Sequence, residues 1–169
     1  MTGPKRTLRV LFLCTGNSAR SQMAEALLNA KGQGRLHAES AGSRPAARVN
    51  PLAIETLREW NIAWDGHVPR GLDGLERKHW DFVITVCDRA KESCPIFPGQ
   101  PVVAHWGMPD PAEVEGDDAK RRAAFRHAFL MLSRRIDLFV ALPFEKLERM
   151  ALEARVRAIG AAAGAPSSR

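Results

Sequence analysis

Short apolar runs alternate along the chain with longer segments whose apolar residues recur at helical spacing. The run LRVLFLC at 8–14 has the length of a buried strand, and SQMAEALLNAKG at 21–32 has the period of an amphipathic helix. Gly32 and Gly34 break that helical pattern. The N-terminal part therefore predicts a strand, a loop and a helix in succession.

The alternation continues through the middle of the chain. A short strand is predicted at 37–41, and a helix follows in NPLAIETLREW, where Asn50 can cap the helix with Pro51 at its first position. Two further apolar runs predict strands, DFVITVC ending at Cys87 and PVVAHW ending at Trp106. Strands that alternate with helices in this way favour a parallel sheet covered on both faces.

The C-terminal part is mainly helical. The segment at 117–142 has the pattern of a long amphipathic helix that ends near Pro143, and a further helical stretch at 144–159 runs into a tail with the composition of a frayed end. No repeat or low-complexity linker divides the sequence. We therefore predict one α/β domain at 1–142, followed at 143–169 by a C-terminal helical extension and a flexible tail.

Composition fits one enzyme-sized unit. With 169 residues, 45% of them hydrophobic, the chain can fill a single core without metal or disulfide staples. Its apolar runs are far shorter than the roughly 20 residues needed to cross a bilayer, and MTGPKRT leads into a strand rather than into a signal-peptide core. We expect a cytoplasmic protein with no membrane segment.

The formal net charge is +6, but the basic residues are spread along the chain and many lie beside acidic ones, as in EKLERMALEARVR. This distribution disfavours nucleic-acid binding and suits small anions. The histidines share no metal-ligand spacing, and the tryptophans predict core or rim packing. His105 and Trp106 precede a proline-rich loop, so they are candidates for lining a pocket.

Three cysteines, Cys14, Cys87 and Cys94, are an odd number for a compartment that keeps thiols reduced. They argue against a disulfide framework and for metal binding or thiol chemistry. A zinc site is disfavoured, because Cys87 and Cys94 are more widely spaced than the usual ligand pairs and a fourth ligand is lacking. Thiol chemistry is the favoured interpretation.

The residues after the first strand have the pattern of an anion-binding loop. The strand ends and a helix opens within eight consecutive residues, which are Cys14, Thr15, Gly16, Asn17, Ser18, Ala19, Arg20 and Ser21. Small residues allow successive backbone N–H groups to point inward, and the helix adds its positive end. The pattern predicts a cradle for a phosphate-like anion, with the cysteine at its floor.

Such a field lowers the pKa of a thiol, so Cys14 is expected to be a thiolate nucleophile at neutral pH. Arg20 can close the ring with a bidentate fork onto two anion oxygens, and Ser21 can donate its hydroxyl to the sulfur. The plainer alternative is a buried structural cysteine followed by an ordinary turn. The preceding strand, the Gly16 and Asn17 pair and the following helix favour the anion site.

The stretch VLFLCTGNSARSQMAEALL resembles the signature of the low-molecular-weight tyrosine phosphatase superfamily, and particularly its thioredoxin-coupled arsenate reductases. The similarity runs from about Leu8 to Leu142, through ESAGS, NPLAIETL, FVITVCDRAKESCP and HWGMPDP. It implies a four-stranded parallel sheet with flanking helices, to which this chain adds a C-terminal helix. It also implies arsenate as substrate, phosphate or sulfate as competing oxyanions, and no cofactor.

In the reductases that this sequence resembles, a three-cysteine relay reduces arsenate. The resemblance implies that Cys14 attacks arsenic, and that Cys87 and Cys94 carry the disulfide outward to thioredoxin or another thiol reductant. The polar segment DRAKES between the last two cysteines is a candidate mobile helix. Asp110 in MPDP matches the general acid that protonates the departing oxygen.

The resemblance also implies a set of supporting residues. Asn17, Glu25 and Ser40 match residues that brace the loop and bind a potassium ion in some of these reductases. Arg70 stands where another acidic ligand would be. We predict no metal here and hypothesise that the Arg70 guanidinium replaces the cation electrostatically, with a solvated arginine as the alternative.

Two other functions stay open at this point. A tyrosine phosphatase would need only Cys14, Arg20 and Asp110, but phosphatases of this family usually carry aromatic residues after the acid, whereas this chain has PAEVEG. A non-enzymatic redox or anion sensor would use the cysteines to signal by forming a disulfide. The pattern names no single electron donor, such as thioredoxin or glutathione with glutaredoxin, and we expect a monomer.

Overall fold

The fold is built on one parallel β-sheet. In this computed structural model, which describes residues 6–64, 67–92 and 94–162, the strands lie in the order β2-β1-β3-β4 and all pair in parallel. Their bounds are β1 Leu8–Cys14, β2 Leu36–Gly42, β3 Phe82–Thr85 and β4 Val102–His105. The predicted four-stranded parallel sheet is therefore confirmed.

Five helices flank the sheet within the described residues. Their bounds are α1 Arg20–Gly32, α2 Pro51–Glu59, α3 Asp88–Glu92, α4 Asp118–Val140 and α5 Arg149–Ala162. Short 3-10 turns lie at Leu75–Arg77 and Pro111–Glu113. As predicted, the Asn50 side chain caps α2 by accepting a 2.9 Å hydrogen bond from Leu52 N, with Pro51 at the first helical position.

Three predicted boundaries are wrong by a few residues. Strand β3 ends at Thr85, so Cys87 lies beyond it, and β4 ends at His105 rather than at Trp106. Helix α5 begins at Arg149, after a series of turns. The reason for the late start is that Phe144 is buried against the core rather than continuing a helical face.

The core lies on and around the two central strands. The four residues of β3 and residues 10–14 of β1 are all buried, as the continuous apolar runs predict. Aromatic rings pack beside them: Phe139 lies 5.0 Å from Phe82 and 5.7 Å from Trp106, measured between ring centroids. Phe82 begins β3 and Trp106 follows the end of β4, so Phe139 packs against both ends of these short strands.

Helix α5 packs against strand β4. Val156 is fully buried in that contact and Ile159 nearly so. The rest of the predicted tail, 163–169, lies outside the described residues. Within the part of the chain that the structure describes, no helix is long and apolar enough to cross a membrane.

Candidate active site

The loop from Cys14 to Arg20 connects the end of β1 to the start of α1. This is the carboxyl edge of a parallel sheet, where open α/β folds place their sites. Asn17 adopts a left-handed backbone conformation with φ 52°, which asparagine tolerates better than most residues. The sharp reversal at Asn17 turns the backbone back toward the sulfur.

Close packing against β2 shapes the same loop. Gly42 pairs with Cys14 across the sheet, and a Cβ atom on Gly42 would meet the carbonyl oxygen of Thr15 and lie 2.9 Å from Asn17 N. Only glycine fits this position without moving the loop. The motif ESAGS contains this glycine, but its spacing alone does not indicate the contact.

The sulfur of Cys14 lies at the floor of the loop. Asn17 N donates a 3.1 Å hydrogen bond to Sγ, and Ser21 Oγ lies 2.8 Å from the same atom. The side chain of Asn17 in turn donates to Ser21 Oγ at 2.8 Å, which leaves the hydroxyl hydrogen free to point at the sulfur. The arrangement can stabilise a thiolate.

Burial nevertheless has the largest influence on the pKa of this thiol. It raises the pKa of Cys14, while the hydrogen bonds from Ser21 and Asn17 and the charge of Arg20 lower it. The balance in the structure is a raised pKa, opposite to the expectation drawn from the sequence. The physical reason is that Cys14 is only 2% exposed, and the sequence pattern does not report how deeply the loop is sunk into the core.

Arg20 and Asp110 face each other across the opening of the loop. Arg20 Nη1 donates to the carbonyl oxygen of Met108 at 3.0 Å, and Nη2 lies 3.5 Å from Asp110 Oδ2. The other carboxylate oxygen of Asp110 accepts from Ala112 N at 2.9 Å, which starts a 3-10 turn. Arg20 and Asp110 are far apart in sequence, and the fold brings them together, as the sequence leads us to expect of these two site residues.

A cavity of about 430 Å³ opens above the loop. Its lining comprises Cys14, Thr15, Gly16, Ser18, Ala19, Arg20, Cys87, Asp88, Arg89, Met108, Asp110 and Glu113. Asn17 and Ser21 were predicted as substrate-binding residues, but both are fully buried beneath the loop and do not line the cavity. Asp88, Arg89 and Glu113 are lining residues that the sequence pattern did not single out.

Cys87 shares this cavity with Cys14. Its Sγ lies 3.2 Å from Thr15 Oγ1, a hydrogen bond between the second cysteine and the anion loop itself. Helix α3 starts directly after it at Asp88. The structure therefore places two of the three thiols at one site.

Cys94 lies elsewhere. It is half-buried, burial raises its pKa, and it lines a second cavity of about 340 Å³ together with Lys91, His105 and Arg157. All three cysteines are free thiols in this structure. Cys87 and Cys94 thus line different cavities.

The expectation that His105 and Trp106 line the active-site pocket is wrong. Trp106 is fully buried and its indole N–H donates to the carbonyl oxygen of Val156 at 3.0 Å. His105 lines the neighbouring cavity, with Nδ1 2.7 Å from Thr85 Oγ1 and Nε2 2.9 Å from Asp88 Oδ1. Both residues support the site rather than form its surface.

The predicted loop-support residues form one network. Asn17 Nδ2 donates to Ser40 Oγ at 2.9 Å, and Ser40 Oγ donates to Glu25 Oε1 at 2.7 Å. The backbone N–H of Arg70 donates to Asn17 Oδ1, and its guanidinium donates to the carbonyl oxygen of Ser40. The charge of Arg70 is paired with Glu39 at 2.9 Å.

Two members of this network were missed. Gln22 Nε2 donates to the carbonyl oxygens of Asn17 and His67, each at 3.1 Å. His67 places Nε2 3.1 Å from Glu25 Oε1 and Nδ1 2.7 Å from the carbonyl oxygen of Val68. Both ring nitrogens of His67 thus lie at hydrogen-bond distance from oxygen atoms of this region.

The same network leaves a potassium ion little to bind. Asn17 Oδ1 and Glu25 Oε1 already accept hydrogen bonds from Arg70 N, Ser40 Oγ and the His67 ring. The Arg70 guanidinium lies against Ser40 as a further positive group. Among the described residues, the group beside Glu25 is His67 rather than Arg70.

The fold and the Cys14 site together define a member of a known enzyme family. The family model described as low molecular weight phosphotyrosine protein phosphatase matches residues 9–153, and the chain belongs to this family. The solved structure of a low molecular weight protein tyrosine phosphatase from T. tengcongensis is similar, with a TM-score of 0.63 and 26% identity over 78% of this chain and 96% of that one.

Within the family, the sequence is similar to proteins named arsenate reductases. That of Halalkalibacterium halodurans is 36% identical over 130 residues, which cover 77% of this chain and 93% of the relative. The structure of the thioredoxin-dependent arsenate reductase from Corynebacterium glutamicum matches with a TM-score of 0.57 and 30% identity, over 79% of this chain and 63% of that one. The resemblance stated from the sequence is confirmed.

Proposed function

We propose that this chain reduces arsenate to arsenite with Cys14 as the nucleophile. The observation that carries the proposal is the shared cavity of Cys14 and Cys87, in which Thr15 hydrogen-bonds the second thiol. A phosphatase needs one thiol beside the bound oxyanion, whereas reduction needs a second thiol within reach of the first. The arsenate reductase relatives support the same substrate.

Binding starts at the anion loop. Arsenate is a tetrahedral oxyanion like phosphate, so inward-facing amides of residues 15–20 and the Arg20 fork can hold its oxygens. The cavity of about 430 Å³ has room for such a small ion. Phosphate and sulfate have the same shape and charge pattern, so they are expected to compete.

Reduction follows in two steps. The Cys14 thiolate attacks arsenic, an S–As bond forms, and an arsenate oxygen leaves as water after Asp110 has protonated it. The Cys87 thiolate then attacks the Cys14 sulfur. The S–As bond breaks with its electron pair going to arsenic, so As(V) becomes As(III), arsenite leaves, and a Cys14–Cys87 disulfide remains.

The third thiol resets the site. Cys94 attacks Cys87, which frees Cys14 as a thiolate and leaves a Cys87–Cys94 disulfide. An external dithiol, such as thioredoxin, or small thiols with glutaredoxin, supplies the two electrons that reduce it. Because Cys94 lines a separate cavity, we expect α3 to unwind for this step. Helix α3 has only five residues, so its unwinding should cost little free energy.

The supporting assignments belong to the same proposal. Asn17, Glu25, Ser40 and Arg70 brace the anion loop, and no cofactor takes part. Three free thiols suit a reducing compartment such as the cytoplasm. Residues 1–142 form the catalytic domain, and 143–169 are the C-terminal extension.

The test measures arsenite released per enzyme molecule with thioredoxin, with glutathione plus glutaredoxin, or without a reductant. We expect multiple turnover of the wild type with at least one reductant, no arsenite from Cys14→Ser or Cys87→Ser, and about one equivalent from Cys94→Ser. Thiol titration after one turnover should show two thiols lost. Full multiple turnover by Cys87→Ser or Cys94→Ser would contradict the relay.

The second candidate function is a phosphatase that uses Cys14, Arg20 and Asp110. The observation that favours it is the contact between Arg20 and Asp110, which phosphoryl transfer also requires. Among the cavity-lining residues, however, none is aromatic. Steady hydrolysis of a phenyl phosphate by Cys87→Ser, with no arsenite from the wild type, would favour this alternative.

A further inference from the structure

Arg135 of α4 is a charged side chain in the core beside the active site. It is fully buried, and its guanidinium donates to three backbone carbonyl oxygens: those of Trp106 at 2.7 Å, Gly107 at 3.1 Å and Gly160 at 3.4 Å. The first two acceptors begin the loop that leads to Asp110, which we call the acid loop and define as residues 106–110. The third lies on α5.

This burial is costly. Burial lowers the pKa of the Arg135 guanidinium, and Nε is buried without a hydrogen-bond partner among the described residues. Replacing a buried charge by an apolar side chain of similar volume is often neutral or stabilising. Stability alone is therefore a weak reason for an arginine at this position, whereas holding two carbonyls of a loop in a fixed place requires its planar fork.

Helix α5 contacts the same loop directly. The indole N–H of Trp106 donates to the carbonyl oxygen of Val156 at 3.0 Å. A Cβ atom on Gly160 would meet the carbonyl oxygen of His105 and lie 2.8 Å from Trp106 Cδ1. The helix is thus packed as closely as backbone allows against the first residues of the acid loop.

The other end of the acid loop reaches the catalytic groups. Met108 accepts the hydrogen bond from Arg20 Nη1, and Asp110 lies 3.5 Å from Nη2. Only Gly107 separates Met108 from the carbonyl of Trp106 that Arg135 holds. A shift of the loop at Trp106 is therefore transmitted along this short backbone segment to Asp110.

We propose that Arg135 and helix α5 form a positioning unit that fixes the acid loop relative to Arg20. Arg135 touches no substrate, so it is a positioning residue. The family model matches residues 9–153, so Val156 and Gly160 lie just beyond the matched segment. The kinetic test of this inference rests on the proposed function, because it uses arsenate. The structural test does not.

The kinetic test is a double-mutant cycle on the full chain. Single-turnover loss of thiols after mixing with arsenate is measured for wild type, Arg135→Met, Asp110→Asn and the double variant. Arg135→Met should slow the step about 10-fold to 100-fold, because a displacement near 1 Å has effects of this size. In Arg135→Met, the phosphate concentration that half-protects Cys14 from alkylation should stay within about twofold of the wild-type value. The double variant should be no slower than Asp110→Asn.

The structural test needs no arsenate chemistry. Backbone amides at 107, 108 and 110 should exchange with solvent about tenfold faster in Arg135→Met and in Trp106→Phe, which loses the indole hydrogen bond and part of the buried ring. Arg135→Lys keeps the charge without the planar fork and should fall between wild type and Arg135→Met. Arg155→Met, an exposed arginine on α5, serves as the matched control and should match the wild type.

Two outcomes overturn the inference. One is that amide exchange is unchanged in both Arg135→Met and Trp106→Phe. The other is that the rate of the double variant is lowered by the product of the two single-variant reductions, because Arg135 would then act independently of Asp110. If Arg135→Met does not fold, Trp106→Phe carries both readouts. A wild type that reduces no arsenate contradicts the proposed function alone, and amide exchange then still decides whether Arg135 and α5 position the loop.

Discussion

Cys14 Sγ and Ser21 Oγ lie 2.8 Å apart, one at the end of β1 and the other in the first turn of α1. The chain folds back at this loop, so the hydroxyl of Ser21 faces the sulfur of Cys14. Because burial raises the pKa of Cys14, this hydrogen bond is one of the few influences that favour the thiolate.

Ser21→Ala should therefore raise the pKa of Cys14 further. The thiolate fraction at neutral pH falls, and the rate of alkylation by iodoacetamide at pH 7 should drop about tenfold, since a hydrogen bond to a charged group is worth roughly 1.5–3 kcal/mol. The pH profile of alkylation should move to higher pH. Ser18→Ala, in the same loop, is the control, and an identical shift in both variants would refute a specific role for Ser21.

Thr15→Val should slow the second chemical step and leave the first intact. The variant loses the hydrogen bond between Thr15 Oγ1 and Cys87 Sγ but keeps the volume of the side chain. Formation of the Cys14–Cys87 disulfide after arsenate binding should slow about tenfold, whereas alkylation of Cys14 should not change. Thr15→Ser retains the hydroxyl and should restore the rate; equal rates in both variants would count against the contact.

Gly42→Ala should distort the anion loop. The added Cβ would meet the carbonyl oxygen of Thr15, which is backbone and cannot swing away. We expect a loss of about 1–3 kcal/mol in the free energy of unfolding together with weaker phosphate binding. Gly71→Ala is the matched control, because its nearest neighbours would be 3.9 and 4.0 Å away. Equal unfolding midpoints and phosphate affinities would contradict the prediction.

Glu39→Gln should destabilise the protein in a pH-dependent way. Burial raises the pKa of the Glu39 carboxyl, but hydrogen bonds from Arg9 and Arg70 and the charge of Lys78 outweigh it, so the pKa lies below its ordinary value. A lowered carboxyl pKa contributes stability above the unfolded value of about 4.3, and that contribution is lost as pH falls through the folded value.

The difference in unfolding free energy between wild type and Glu39→Gln should thus be about 1–2 kcal/mol at pH 7 and should shrink as pH falls below about 4. Denaturant unfolding across this range measures it. His37 lies 3.5 Å from the same carboxylate, so His37→Gln is measured in parallel. A difference that grows below pH 4 would invert the predicted sign.

Much of the architecture could be predicted because it depends on local pattern. The strand at 8–14 and the helix after Asn50 follow from continuous apolar runs, helical spacing and a capping residue, all of which act over a few positions. The position of the Cys14–Arg20 loop between β1 and α1 follows in the same way, since the two residues are close in sequence. Boundaries failed where long-range packing intervened, as at Phe144.

The sequence by itself determined the class of fold, the anion loop and the identities of the three thiols. The tertiary structure alone decided that Cys14 is sunk deeply enough for burial to raise its pKa, that Cys94 lies in a different cavity from Cys87, and that His67 rather than Arg70 faces Glu25. The physical reason is that desolvation and hydrogen bonding depend on which distant segments pack together, and residue types and spacing carry no direct record of that packing.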